Sequence, residues 1–194
     1  MDFLFKELKH YLCRQAPISI CHEEDLCYDD YLLVSDIPDG KYDNLHIYGV
    51  GMADVEFSRD VYLKPKDGEV SSACLYPNDT NILSCLEIMV KDTPRENVTR
   101  SDRKELCFGD LRKFLPHTGH FLIQRRENWQ QIGRVYHQVK EIPEELDNLY
   151  VYGIGFMDNP ELEEIFEEFR SEQMQLVKAM VLVLSEEPRK DLLS

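Results

Sequence analysis

Phe3, Leu4, Leu8, Tyr11 and Leu12 recur close to the 3.6-residue period of an amphipathic helix. The period then changes. Residues 18–20 and 31–34 read as two short strands, the second antiparallel to the first. Residues 44–50 read as a third, rich in β-branched and aromatic side chains, and 86–90 as a fourth. The same order then returns. A helix is expected over about 102–115, with Ser101 as its N-cap and Pro116 as its stop. Strands over 121–123, 134–136, 148–154 and 180–184 follow.

The recurrence is a duplication. Residues 43–54 (DNLHIYGVGMAD) align with 147–158 (DNLYVYGIGFMD), and seven of the twelve positions are identical. Phe5, Leu8, Tyr11 and Leu12 match Phe108, Leu111, Phe114 and Leu115. The run 86–90 followed by Pro94-Arg95 matches 180–184 followed by Pro188-Arg189. The expected fold is therefore α+β. It comprises two tandem modules, 1–97 and 98–194, each a helix plus a mainly antiparallel four-stranded sheet, packed about a pseudo-twofold axis.

Between the third and fourth strands the copies diverge. Module one carries a longer insert at about 53–82, in which Pro65, Gly68 and Pro77 forbid one continuous helix. Module two has Asp158-Asn159-Pro160, a helix-start signal. A helix over about 160–176 follows, with Leu162, Ile165, Phe166, Phe169 and Leu176 on one face.

Composition narrows the class. In 194 residues, 22 Lys+Arg face 37 Asp+Glu, a net charge of −15, and 43% of residues are hydrophobic. That apolar content excludes a disordered acidic tail. The charge argues against a surface that grips nucleic acid or anionic lipid throughout. Uncharged stretches of about nine residues are too short to cross a membrane, which needs about twenty. The six cysteines form no Cys-x-x-Cys, and the start of the chain has no secretory apolar core, so a cytoplasmic protein with ordinary thiols is expected.

Motifs with possible chemistry have simpler explanations. Gly49-x-Gly51 and Gly153-x-Gly155 lack the third glycine of a dinucleotide loop and the Gly-Lys of a phosphate loop, so they read as a strand bulge or close backbone approach. His117 and His120 lack further ligands nearby and read as surface-loop residues, so no metal or cofactor is expected. Cys21 and His22 are neighbours on a strand and point to opposite faces, as at a solvated strand end. No motif supports catalysis, and the chain reads as a non-enzyme.

Charge is uneven along the chain. Residues 1–97 carry −10, 98–140 carry +5, and 141–172 carry −10. In the expected acidic helix, like-charge pairs such as Glu164–Glu168 are unfavourable by about 0.2–0.5 kcal/mol each. Its glutamates give one charge per roughly 3 Å, comparable to a single nucleic-acid strand.

The leading expectation is an acidic binding or inhibitory protein. Glu161, Glu164, Glu167, Glu168 and Glu172 would dock on a basic surface of a protein partner, such as one that handles nucleic acid. The alternative is direct nucleic-acid binding through Arg112, Arg125, Arg126, Trp129 and Arg134, cations beside a stacking ring; the surrounding negative charge disfavours it. A further alternative is a small-molecule enzyme with an inter-module site. The +5 and −10 stretches could also face each other between two copies, giving a homodimer.

Overall fold

A computed structural model describes residues 3–22, 27–56, 82–158 and 178–192. Helix α1 (Phe5–Lys9) is followed by strands β1 (Ile18–His22), β2 (Cys27–Tyr31), β3 (His46–Glu56) and β4 (Ile82–Lys91). Helix α2 (Phe108–Arg112) is followed by β5 (Thr118–Arg125), β6 (Tyr136–Gln138), β7 (Tyr150–Asp158) and β8 (Lys178–Ser185). The strands form two four-stranded sheets of the same order, β2-β1-β4-β3 and β6-β5-β8-β7. The outer pairings are antiparallel and the central pairs, β1 with β4 and β5 with β8, are parallel. The tandem α+β arrangement of two similar modules thus holds, with mixed sheets.

Local boundaries differ from the sequence pattern. The second helix starts at Phe108, not near 102, because Ser101 does not cap it. Ser101 instead donates its N–H (2.9 Å) and hydroxyl (2.5 Å) to Asp110. The second strand of module one lies at Cys27–Tyr31, upstream of the expected 31–34, because Val34 turns into a short 3₁₀ helix. Residues 57–81 and 159–177, with most of the expected insert and the acidic helix, lie outside the described residues.

One apolar core spans both modules. Ile18, Ile20, Ile47, Leu86 and Ile88 of the first sheet join Phe121, Ile123, Val151, Ile154 and Leu182 of the second, around Phe5, Leu8, Phe108 and Leu111 of the helices. The Phe3 and Phe114 rings meet across the boundary at 5.1 Å.

The repeated Tyr-Gly-x-Gly segment explains how the halves join. In β3, Ile47 pairs with Val90 and Gly49 with Met89, so Tyr48 is an extra, bulged residue; Tyr152 is bulged identically in β7. Before the bulge, each strand's free edge receives its own module: Ile47 N–H bonds the Phe3 carbonyl, and Val151 N–H the Leu106 carbonyl. After the bulge, it receives the other module. Val50 N–H donates to the Phe114 carbonyl (2.9 Å), and Ile154 N–H to the Tyr11 carbonyl (2.7 Å). Each edge is thus covered next to its bulge.

Two arginines close the same joint. Arg95 Nη1 donates to the bulged Tyr48 carbonyl (2.9 Å) and to the Lys113 carbonyl at the end of α2 (3.1 Å). Arg189 Nη1 donates to the Tyr152 carbonyl (3.4 Å) and to the His10 carbonyl at the end of α1 (2.6 Å). Each guanidinium satisfies a bulge and the helix end of the opposite module, groups that would otherwise lack partners. The joint is twofold with one break. Cys13 N–H returns a bond to the Ile154 carbonyl (2.8 Å), whereas the matching Pro116 has no N–H to give.

Candidate functional site

In the basic stretch 98–140, Arg100 is buried and Arg112, Arg125 and Arg126 are half-buried, while Arg103, Lys104, Lys113, Arg134 and Lys140 are exposed. Arg112 donates to Asp147 (2.7 Å) and to the carbonyls of Val139 (3.0 Å), Ile142 (2.8 Å) and Pro143 (2.9 Å), with its guanidinium over the Phe108 ring. Its side chain is only 16% exposed. Arg112 therefore ties α2 to the 139–147 turns and is not part of an outward basic face. Arg100 is more deeply buried, bonded to Glu7 (2.9 Å) and the Lys104 carbonyl (3.0 Å).

Arg125, Arg126 and Trp129 share one turn. Arg125 pairs with Glu186 at 2.7 Å. Arg134 is mostly exposed, 3.8 Å from Glu141. The Arg126 guanidinium lies between the rings of Trp129 (4.9 Å) and Tyr152 (4.7 Å), and Tyr152 also carries Arg189 (5.4 Å). Trp129 is 56% exposed and sits at φ +58°. A bulky residue in the left-handed region costs roughly 1–2 kcal/mol relative to glycine's freedom there. Glu161, Glu164, Glu167, Glu168 and Glu172 lie outside the described residues.

The histidines and cysteines are placed differently from expectation. His120 lies on β5, not in a loop, with its ring 5.1 Å from that of His137. Burial, then the neighbouring imidazole, hold His120 below the usual histidine range. No group of three metal-ligating side chains occurs among the described residues. Cys21 and His22 lie on one strand, but Cys21 is buried instead of solvated.

The two sheets differ most on the faces turned away from the shared core. On the second sheet this face is apolar: Leu122, Val135, Ala179 and Val181 are buried together, with Met157 and Val183 against them. On the first sheet the strand register sets Asp30, Ser19, Glu87 and Gly51 side by side across β2, β1, β4 and β3. The next row is Tyr28, Cys21, Met89 and Gly49, and Cys85 stands opposite Ala53. Ser19 and Glu87 thus occupy the positions of Leu122 and Val181 in the second copy.

This polar row is incompletely satisfied. Ser19 is 0% exposed and its hydroxyl has no hydrogen-bond partner. Leaving such a group unpaired costs roughly 1–3 kcal/mol. Glu87 is half-buried, and desolvation lifts its carboxyl above the usual glutamate range. Burial pushes the Cys85 thiol up to about 12, with Asp30 and Glu87 adding to the effect. A thiol held neutral in this way is a poor nucleophile. Gly49 and Gly51 put no side chain on the β3 side of the face; a Cβ on Gly49 would meet Met89 Sδ at 3.4 Å, and one on Gly51 would stand 3.8 Å from Glu87 Oε2.

Sequence reasoning did not single out this row, although its signal lay in the duplicated alignment. A glutamate stands opposite a valine inside an otherwise apolar run, 86–90 against 180–184. No protein family, curated protein or solved structure matches the chain.

Proposed function

We propose that the protein is a non-catalytic binding protein, inhibitory in character, that docks its acidic surface on a basic surface of a protein partner. The observation that carries this reading is where the cations go. Arg95, Arg100, Arg112 and Arg189 are spent on backbone carbonyls and internal carboxylates, while Asp30, Asp39, Asp92, Glu96, Asp102, Glu144 and Glu145 remain at the surface. Among the described residues the exposed carboxylates outnumber the exposed cations, so the outward balance is acidic. A surface of one sign steers association with an oppositely charged partner, and salt weakens it.

The test is co-purification from the native host at increasing ionic strength. Wild-type protein should retain a basic partner at low salt and release it as salt rises. A variant with Glu161, Glu164, Glu167, Glu168 and Glu172 all changed to Gln should lose it. Equal capture by the variant, with unchanged salt sensitivity, contradicts the reading.

The exposed Trp129 stacked on Arg126 favours a second reading, a platform for a single nucleobase. Glu127, Glu186 and Glu187 surround this turn and oppose a phosphate chain. A low-salt gel shift with single-stranded RNA and DNA decides it: a shift abolished by Trp129→Ala supports the platform, and no shift removes it.

A further inference from the structure

The two sheets have four edge strands, and the fold does not treat them alike. The β3 and β7 edges are covered beside their bulges by both modules. The other edge of the second sheet, β6, is three residues long and slips out of register with β5 between Thr118 and Phe121. Shortness and a bulge are two ways in which proteins blunt an edge against further pairing. The other edge of the first sheet, β2, has neither. It runs for five residues in unbroken register with β1, from Cys27 opposite His22 to Tyr31 opposite Ile18, and it contains no proline. Tyr28, Asp29 and Asp30 are all exposed, Tyr28 to 55%. Successive residues of a strand point to opposite faces, so β2 is open on both. Among the described residues, no backbone group outside β1 bonds to it.

The open strand is nevertheless fastened by its side chains. The Tyr42 hydroxyl donates to Asp29 (2.5 Å), and Lys41 Nζ donates to Asp29 (2.9 Å) and to the Tyr31 hydroxyl (3.1 Å). The Tyr31 and Tyr42 hydroxyls share a further bond at 2.8 Å. Module two has no such network. Tyr136 stands at the register position of Tyr31, but Glu145 and Leu146 replace Lys41 and Tyr42. A strand held extended in this way offers its outward N–H and C=O groups without a further cost of ordering. In an antiparallel pair, alternate residues turn these groups away from the partner strand, at a spacing that another extended backbone matches.

We propose that the β2 edge receives an extended segment of the basic partner as a fifth strand of the first sheet, with a lysine or arginine beside Asp30 and an apolar side chain against Tyr28. The proposal rests on the acidic-docking reading and specifies the mode of one contact within it. Main-chain bonds supply the ladder, and side chains select the occupant. Asp29 already pairs with Lys41, so Asp30, which has no ion pair among the described residues, is the open charge of this edge. The same charges reject a second copy of the chain. Antiparallel pairing of β2 with itself, centred on these residues, sets aspartate against aspartate on chains that each carry −15. Like charges directly opposite destabilise a ladder, and opposite charges support it. Tyr28 gives the incoming strand a broad ring to cover, with a hydroxyl that stays in water.

The experiment follows amide hydrogen exchange by NMR in the full chain, with the peptide acetyl-Lys-Val-Lys-Val-Lys-amide. Two controls accompany it: the same peptide N-methylated at every residue, which keeps the charge and loses the ladder donors, and acetyl-Glu-Val-Glu-Val-Glu-amide. The lysyl peptide should slow exchange at alternate amides within 28–31 and leave the amides of β6 unchanged, and neither control should do so. Asp30→Asn should weaken the response about two- to fivefold, and Tyr28→Ala by a similar factor. Both residues are exposed, so the variants keep the fold. No protection at β2, equal protection by either control, or an undiminished response in both variants overturns the proposal. Its failure is distinct from that of the docking reading. A salt-sensitive partner lost when the five glutamates are replaced, with no protection at β2, sinks the strand site and leaves the reading. Protection at β2 without any salt-sensitive basic partner supports the site and sinks the reading.

Discussion

The outer faces of the two sheets descend from one pattern and have diverged in opposite directions. In module two, Leu122, Val135, Ala179 and Val181 extend the hydrophobic interior to the far side of the sheet. In module one, Ser19, Glu87, Cys21, Cys85 and Tyr28 occupy the corresponding surface, with a buried hydroxyl unbonded and a carboxyl lifted by desolvation. Strand order, bulge, arginine clamp and shared core are common to both halves, so the scaffold does not demand the polar residues. Duplication lets one copy keep the packing while the other departs from it, and the unbonded Ser19 hydroxyl makes that departure costly to stability.

The largest test of this contrast moves the polar residue into the apolar copy. Val181→Glu places an uncompensated carboxylate in a buried cluster and should cost about 3–5 kcal/mol in urea denaturation. A loss below 1 kcal/mol would mean that the second face is not packed as described. The shared joint comes next. Arg95→Ala and Arg189→Ala each strip a bulge carbonyl and a helix end of a charged donor, and each should cost about 1.5–3 kcal/mol. Similar losses from the two variants fit a twofold joint; a loss from one alone would break the symmetry. The reverse transplant, Glu87→Val, should stabilise module one by about 0.5–2 kcal/mol in the same assay.

The smallest effect is in pH. The folded-state pKa of Glu87 lies above its unfolded value, so its contribution favours the folded state at low pH and fades as pH rises through the lifted range. Asp29, lowered by bonds from Tyr42 and Lys41, and Asp110, held down by Ser101 and Lys113, act in the opposite sense, losing stability as pH falls. The stability difference between wild type and Glu87→Gln across pH 4–7 isolates the first effect. It should move against the wild type as pH increases, and a flat difference contradicts the desolvated carboxyl.

Much of the fold was legible because the chain states it twice. Repetition of Tyr-Gly-x-Gly ahead of dissimilar segments pointed to a bulge, and Tyr48 and Tyr152 are the bulged residues. The Pro94-Arg95 and Pro188-Arg189 match was visible too, but its purpose depends on the opposite module's helix end, which no local pattern encodes. Segment charge misled at Arg112. Counting cations along 98–140 says nothing of direction, and this one is directed at Asp147 and three carbonyls. The outer-face row was legible only by comparing the copies position by position, since Glu87 alone looks like one more acid in an acidic protein.

The most direct measurement is the carboxyl carbon shift of Glu87, followed by NMR against pH in the full chain. The midpoint should lie above the usual glutamate range. A midpoint at the ordinary value would show a solvated carboxylate and contradict the contrast between the two faces.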